Sequence, residues 1–127
     1  MENVIFISNP SEFEKNEAFV AHISRINGVK HLFNLLCEKL WFPNYFGFNW
    51  DATDECLNDF SWIEEVDIII VHDSAINLDK KDFEIYIDML YNAVMFWCSD
   101  GEHNMSIVFR TDYKEIIEDI IKKKRYV

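Results

Sequence analysis

Three acidic side chains, Asp51, Asp54 and Glu55, stand close together in a stretch that is predicted to be helical. At 3.6 residues per turn they share one helix face with Asn58. Asp51 and Glu55 are four residues apart, a spacing at which like charges repel by ~0.2–0.5 kcal/mol. No lysine or arginine occurs in residues 40–79 to offset that repulsion. Such a face is suited to a positively charged group, carried by a protein or present as a metal ion.

The helix that carries this acidic face is predicted to begin after Asn49, whose side chain can accept a hydrogen bond from an early backbone N–H. The other side of the helix is apolar and is formed by Ala52, Cys56, Leu57 and Phe60. We therefore expect Ala52 and Cys56 on the buried side of the helix, and the three acids on the exposed side.

An aromatic loop of residues 41–49 leads into the helix. Gly47 permits a backbone geometry that other residues resist. Tyr45 and Phe46 flank this glycine, which leaves two roles open for them, partner contact or core packing. The other two aromatic residues near the helix start are expected in the core: Phe48 and Trp50.

Catalytic and metal-binding interpretations have less support. The three acids have the oxygen ligands that a divalent cation prefers, but no ligand loop accompanies them. His72-Asp73 follows a predicted strand and could form a catalytic pair, although such a pair is more often structural. The histidines lack metal-ligand spacing, and no phosphate loop, dinucleotide fingerprint or nucleophile elbow is present. We predict no enzyme activity, no catalytic residue, no bound metal and no cofactor.

Charge and composition limit the possible partners. The formal charge is 12 − 23 = −11, which disfavours direct binding to nucleic acid or to an anionic membrane and favours a basic protein. Half of the residues are apolar, and the 127 residues are predicted to form a single domain. The three cysteines fit reduced core thiols. With neither a signal peptide nor a membrane span recognisable, we expect a cytoplasmic protein.

Short strands alternate with helices along the chain. Strands are predicted at residues 4–7, 19–23, 66–71 and 105–109, and helices at residues 29–40, 50–60, 80–97 and 113–121. Asp79 can cap the third of these helices, and a turn is predicted at residues 99–104. The run VDIIIV is typical of a strand that is covered on both faces, as in the centre of a parallel sheet. The order predicts an α/β fold with a mostly parallel three-stranded sheet flanked by helices, an N-terminal extension and an extra C-terminal helix.

The stretch PNYFGFNWDATDECL resembles the signature of the barstar family, the intracellular inhibitors of barnase-type ribonucleases. The shared pattern is proline, two aromatics and glycine, then asparagine, Asp-Ala, an acid and Cys-Leu. The resemblance covers about residues 18–109, and it implies the α/β fold predicted above. Within the signature, three residues depart from the family: Phe46 lacks the hydroxyl of the second tyrosine, Asp54 replaces a tryptophan found in the family, and Glu55 is one methylene longer than the aspartate.

The resemblance implies an inhibitor that blocks the active site of a nuclease with the loop and the acidic helix, in which carboxylates take the place of RNA phosphates. Glu55 stands where the family places the acid that occupies the enzyme's phosphate pocket. The predicted partner contacts are Tyr45, Phe46, Gly47, Asn49, Asp51, Asp54, Glu55, Asn58 and Asp59. The predicted partner is a basic protein, a ribonuclease or related nuclease toxin. The alternative is an immunity or interaction module of the same fold that binds a different basic protein.

Overall fold

The computed structural model describes residues 3–125, and within that range the chain forms six strands and four α-helices. The strands are β1 (Val4–Ile7), β2 (Phe19–Ile23), β3 (Ile26–Asn27), β4 (Asp67–His72), β5 (Ile76–Asn77) and β6 (Asn104–Arg110). The α-helices are α1 (Val29–Lys39), α2 (Trp50–Leu57), α3 (Lys80–Asp100) and α4 (Lys114–Arg125). Short 3-10 helices occur at Pro10–Glu12 and Thr111–Tyr113.

The main sheet is parallel throughout, with the strand order β1-β6-β4-β2. The helix-flanked α/β class predicted from sequence is confirmed, but the expectation of three strands is wrong. The N-terminal segment supplies a fourth strand, in which Val4 lies opposite Ile107 of β6. This pairing satisfies backbone groups that β6 would otherwise present at an open sheet edge. β3 and β5 form a separate parallel pair of two residues each.

Alternate residues of the central strands divide the core into two clusters, because successive side chains of a strand point to opposite faces of a sheet. Ile68 and Ile70 of β4 belong to the large cluster, to which all four helices contribute. Ile69 and Val71 belong to a smaller cluster, against which Phe13 of the N-terminal segment packs. The helices therefore cover one face of the sheet, and the segment before β2 contributes to covering the other.

Side-chain caps determine where two of the helices begin. At α3 the Oδ1 atom of Asp79 accepts a hydrogen bond from the Asp82 backbone N–H at 2.8 Å, as the sequence predicts. The same helix ends at Gly101, whose φ of +83° is the left-handed geometry that glycine adopts without strain. The turn predicted for residues 99–104 consequently starts later, since α3 continues to Asp100.

Candidate partner-binding surface

The aromatic loop between α1 and α2 is joined to the core by hydrogen bonds. Trp62 donates from Nε1 to the Leu40 carbonyl at 2.9 Å, where the loop leaves α1. Within the loop the Phe46 backbone N–H donates to the Pro43 carbonyl at 3.0 Å. The loop therefore has a defined shape in the absence of a partner.

The structure places Phe46 in the core and so corrects its assignment to the partner-binding surface. Its side chain is only 5% exposed. The ring lies 4.9 Å from Phe42 and 6.4 Å from Phe33, both at steep interplanar angles. The enclosed ring anchors the loop to the core, because edge-to-face aromatic pairs add to the stability of the apolar core.

Phe48 and Trp50 differ in burial, although the sequence predicts both in the core. Trp50 is half-buried, 5.0 Å from Phe33 and 6.4 Å from Tyr86, which agrees with the expected packing. The expectation is wrong for Phe48, whose side chain is 49% exposed. One side of the Phe48 ring lies 4.8 Å from Phe46, and the rest faces solvent. Its backbone is left-handed, with φ of +52°, so this residue rather than Gly47 has the unusual conformation.

Glycine at position 47 is explained by space rather than by backbone freedom. The glycines with positive φ are Gly28 and Gly101, and Gly47 does not share that geometry. A Cβ atom at position 47 would lie 3.2 Å from Nδ2 of Asn49, closer than ordinary van der Waals contact. The residue therefore allows the Asn49 side chain to fold back over the loop, where Nδ2 donates to the Gly47 carbonyl at 3.3 Å.

Asn49 is the N-cap of α2, as predicted from sequence. Its Oδ1 atom accepts a hydrogen bond from the Ala52 backbone N–H at 2.8 Å. Its carbonyl accepts from the Thr53 backbone N–H at 3.0 Å and from Thr53 Oγ1 at 2.9 Å. Asn49 therefore joins the loop to the helix and sets the direction in which α2 leaves the loop.

The structure confirms the two predicted faces of α2. Cys56 and Leu57 are buried and Ala52 is half-buried, whereas Asp51, Asp54 and Glu55 are exposed. Two contacts of the buried face are not evident from sequence. Thr53 is fully buried because its hydroxyl is bonded within the helix, and Trp97 of α3 donates from Nε1 to the Leu57 carbonyl at 2.8 Å. These contacts hold α2 against α3 with its acids directed outward.

Asn58 and Asp59, at the end of α2, already have partners within the chain. Asn58 donates from Nδ2 to the Asp54 carbonyl at 3.0 Å and to its carboxylate at 3.3 Å. The Tyr45 hydroxyl donates to Asp59 Oδ2 at 3.3 Å, which connects the loop to the end of the helix. Partial desolvation and, after it, the Asp59 carboxylate raise the pKa of Tyr45 above its usual value, so the phenol stays a donor at neutral pH. The roles of Asn58 and Asp59 in partner binding stay predictions.

The acidic face has no internal counter-charge among the side chains that the structure describes. The lysine and arginine ion pairs there involve Lys15, Lys39 and Arg110, and none includes Asp51, Asp54 or Glu55. Burial, followed by the Asp59 and Glu55 carboxylates, raises the pKa of the Cys56 thiol to about 11. Cys56 is therefore protonated at neutral pH and poorly nucleophilic.

The alternative sites considered from sequence do not assemble in the structure. His72 and Asp73 are not a pair: the ring of His72 is buried between the Val108 carbonyl and the Tyr86 hydroxyl, whereas Asp73 contacts His22 at 2.6 Å. Within the described residues 3–125, no three His, Cys, Asp or Glu side chains are placed to hold a metal ion. The roles of Asp51, Asp54 and Glu55 in partner binding stay predictions.

The arrangement presents a rigid, uncompensated set of carboxylates beside exposed aromatic rings. Carboxylates accept charge-assisted hydrogen bonds from arginine and lysine, and arginine can bind one carboxylate through two parallel bonds. Tyr45, which is 65% exposed, and Phe48 provide apolar surface next to these acids. Phe48 was expected in the core, and no periodicity signals its exposure, because the residue lies in a loop.

The comparison with family models agrees with the resemblance seen in the sequence. Residues 16–110 match the family model described as "Barstar (barnase inhibitor)", and the chain belongs to the barstar family. Members of this family are inhibitors of barnase-type ribonucleases rather than enzymes. No match was found among curated proteins.

None of the helices in the described part of the chain is long and apolar enough to cross a membrane. β1 and α4 lie outside the matched range.

Proposed function

We propose that this member of the barstar family inhibits a barnase-type ribonuclease by inserting α2 and the aromatic loop into its active site. The observation that carries the proposal is the acidic face of α2, on which Asp51, Asp54 and Glu55 are exposed and have no basic partner among the described side chains. An enzyme that binds RNA phosphates needs positively charged donors, and carboxylates held at phosphate positions satisfy the same donors.

The rigidity of the helix supports this role. The Asn49 cap, the buried Cys56 and Leu57, and the bond from Trp97 to the Leu57 carbonyl fix α2 before any partner arrives. A surface that is already ordered loses little conformational entropy on binding, so more of the contact energy contributes to affinity. Glu55 is the proposed anchor in the phosphate pocket, with Asp51 and Asp54 nearer to the rim.

The free cysteines of this chain bear on where the inhibitor acts. Cys37, Cys56 and Cys98 are free cysteines. The expectation of a core position is wrong for Cys98, which is exposed at the end of α3. Free thiols persist in reducing compartments. We therefore propose that the inhibitor acts in the cytoplasm, where it would protect cellular RNA. Cell fractionation tests this placement, and recovery of the protein outside the cytoplasmic fraction would contradict it.

Inhibition assays with Glu55 variants test the proposed anchor. Removal of one partner of a buried, hydrogen-bonded charge pair costs ~2–5 kcal/mol, because the other charge is left uncompensated. Glu55→Ala should therefore raise the inhibition constant by roughly 30- to 5,000-fold against the inhibited enzyme. Asp54→Ala should have a modest effect, since exposed pairs contribute only ~0–1 kcal/mol. Barnase and other barnase-type ribonucleases serve as test enzymes, with RNA cleavage as the signal.

Two further variants separate charge from shape and position. Glu55→Gln keeps the size of the side chain but removes its charge, and it should lose inhibition nearly as Glu55→Ala does. Glu115→Gln is the matched control, because Glu115 is an exposed acid on α4, away from α2. It should inhibit like the wild type. Equal inhibition by the wild type and Glu55→Ala would refute the anchor, and binding of a ribonuclease without loss of its activity would favour the alternative interaction module.

A further inference from the structure

Phe48 combines two features that are unfavourable in an isolated folded protein. Its φ of +52° lies in the left-handed region, which a bulky side chain adopts only under strain. Its ring is also 49% exposed, although phenylalanine is among the residues most often buried. Glycine or asparagine would adopt the same backbone more readily and would expose less apolar surface. A phenylalanine at this position therefore leaves about half of its surface in solvent in the free protein.

The ring of Phe48 is nevertheless held in place. Its centroid lies 4.8 Å from that of Phe46, which is itself buried against Phe42. Phe48 thus lies on the outside of a buried aromatic cluster, with about half of its surface covered and the other half exposed. An aromatic ring with few rotamers and a fixed support loses little entropy when a partner covers it.

The position of Phe48 connects it to the acidic face. It directly precedes Asn49, whose Oδ1 atom caps α2, and α2 carries Asp51 in its first turn. Tyr45, on the other side of Gly47, is exposed as well. Phe48 is therefore only three residues from the first carboxylate of α2, and a partner bound to the start of α2 would also meet Phe48.

We propose that Phe48 is an apolar anchor that determines which ribonuclease this chain inhibits. The proposal rests on the proposed function and adds a requirement for the partner: its cationic pocket must adjoin an exposed apolar or aromatic surface that covers the Phe48 ring. Aromatic residues, phenylalanine included, are enriched at protein interfaces, and a few well-packed residues carry most of the binding energy. The acids alone would accept any cationic pocket of suitable shape, whereas the ring selects among such pockets.

Substitutions at Phe48 test the anchor. Phe48→Gly should raise the inhibition constant by roughly 5- to 30-fold against the ribonuclease that the wild type inhibits. Phe48→Tyr keeps the ring and should stay within about 3-fold of the wild type. The melting temperature of Phe48→Gly should stay within ~5 °C of the wild type, because relief of backbone strain offsets the lost contact with Phe46. The test enzymes are barnase and a panel of barnase-type ribonucleases.

Glu17→Gly is the control for backbone strain. Glu17 is exposed, has φ of +61° and lies in the segment before β2, so the substitution relieves strain of the same kind outside the loop. Its inhibition constant should equal that of the wild type when measured at high salt, where the lost charge is screened.

The assays distinguish failure of the Phe48 anchor from failure of the proposed function. Full inhibition by Phe48→Gly, together with loss of inhibition in Glu55→Ala, would overturn the anchor and leave the proposed function standing. A fall of more than ~10 °C in the melting temperature of Phe48→Gly would identify the ring as a core residue and also overturn the anchor. Absence of inhibition by the wild type across the panel would overturn the proposed function and, with it, this inference.

Discussion

Lowering the pH should destabilise the protein through His72, a buried histidine that must stay neutral. Its Nδ1 atom lies 3.0 Å from the Val108 carbonyl, which can only accept, so Nδ1 carries the proton. Its Nε2 atom then accepts the hydrogen bond from the Tyr86 hydroxyl at 2.6 Å. The ring also stacks on Phe109, 4.4 Å between centroids and 11° between planes. A second proton on His72 would remove the acceptor that Tyr86 uses and would place a charge in the core.

Burial lowers the pKa of His72 from 6.5 to about 4, and this difference sets the size of the effect. Above pH 6.5 the ring is neutral in both the folded and the unfolded state, so it adds no pH dependence. Between pH 6.5 and 4 the unfolded state binds the proton more tightly, and the free energy of unfolding falls as the pH falls. The full difference between the two pKa values corresponds to roughly 3 kcal/mol in the free energy of unfolding. About 2 kcal/mol of this should be lost between pH 7 and pH 5.

Urea unfolding at pH 7 and pH 5 measures this loss for the wild type and for His72→Gln. The wild type should lose about 2 kcal/mol more than the variant, because glutamine does not titrate, and comparison of the two chains removes the contributions of other groups. The His72 ring should also stay neutral at pH 5 when followed by NMR. The same loss in both chains, or a His72 ring that titrates near pH 6.5, would refute the argument.

Two further predictions concern the candidate surface. Asn49→Ala removes the cap of α2 and should lower the free energy of unfolding by ~0.5–2 kcal/mol in urea titrations, while Asn49→Asp, which retains the acceptor oxygen, should lose less. An unchanged unfolding curve for Asn49→Ala would contradict the capping role. Association with the inhibited ribonuclease should be fast at low ionic strength and slow markedly with salt, because nine acids and no lysine or arginine occur in residues 40–79 and their field is screened over ~8–10 Å. Association rates in stopped-flow measurements that do not change with salt would exclude this electrostatic steering.

Features that depend on local periodicity and on short-range hydrogen bonding could be predicted from the residues alone. The apolar and acidic faces of α2 follow from the 3.6-residue repeat, and the caps at Asn49 and Asp79 follow from side chains that bond a backbone N–H three residues ahead. The run of β-branched residues before His72 identified a buried strand to within one residue. These features need no contact between distant parts of the chain, and so the residues in each window were sufficient to predict them.

Other features depend on residues that are distant in sequence, and these could not be predicted without the fold. β1 becomes a fourth strand because β6, about a hundred residues later, offers it an open edge. Phe46 and Phe48 have the same side chain two positions apart, yet the rings of Phe33 and Phe42 enclose one and leave the other half in solvent. His72 is kept from Asp73 because Tyr86 and Val108, on other elements, satisfy both of its nitrogens. In a loop without periodicity, burial is set by whichever side chains the rest of the fold places around it, and the local sequence contains no information about them.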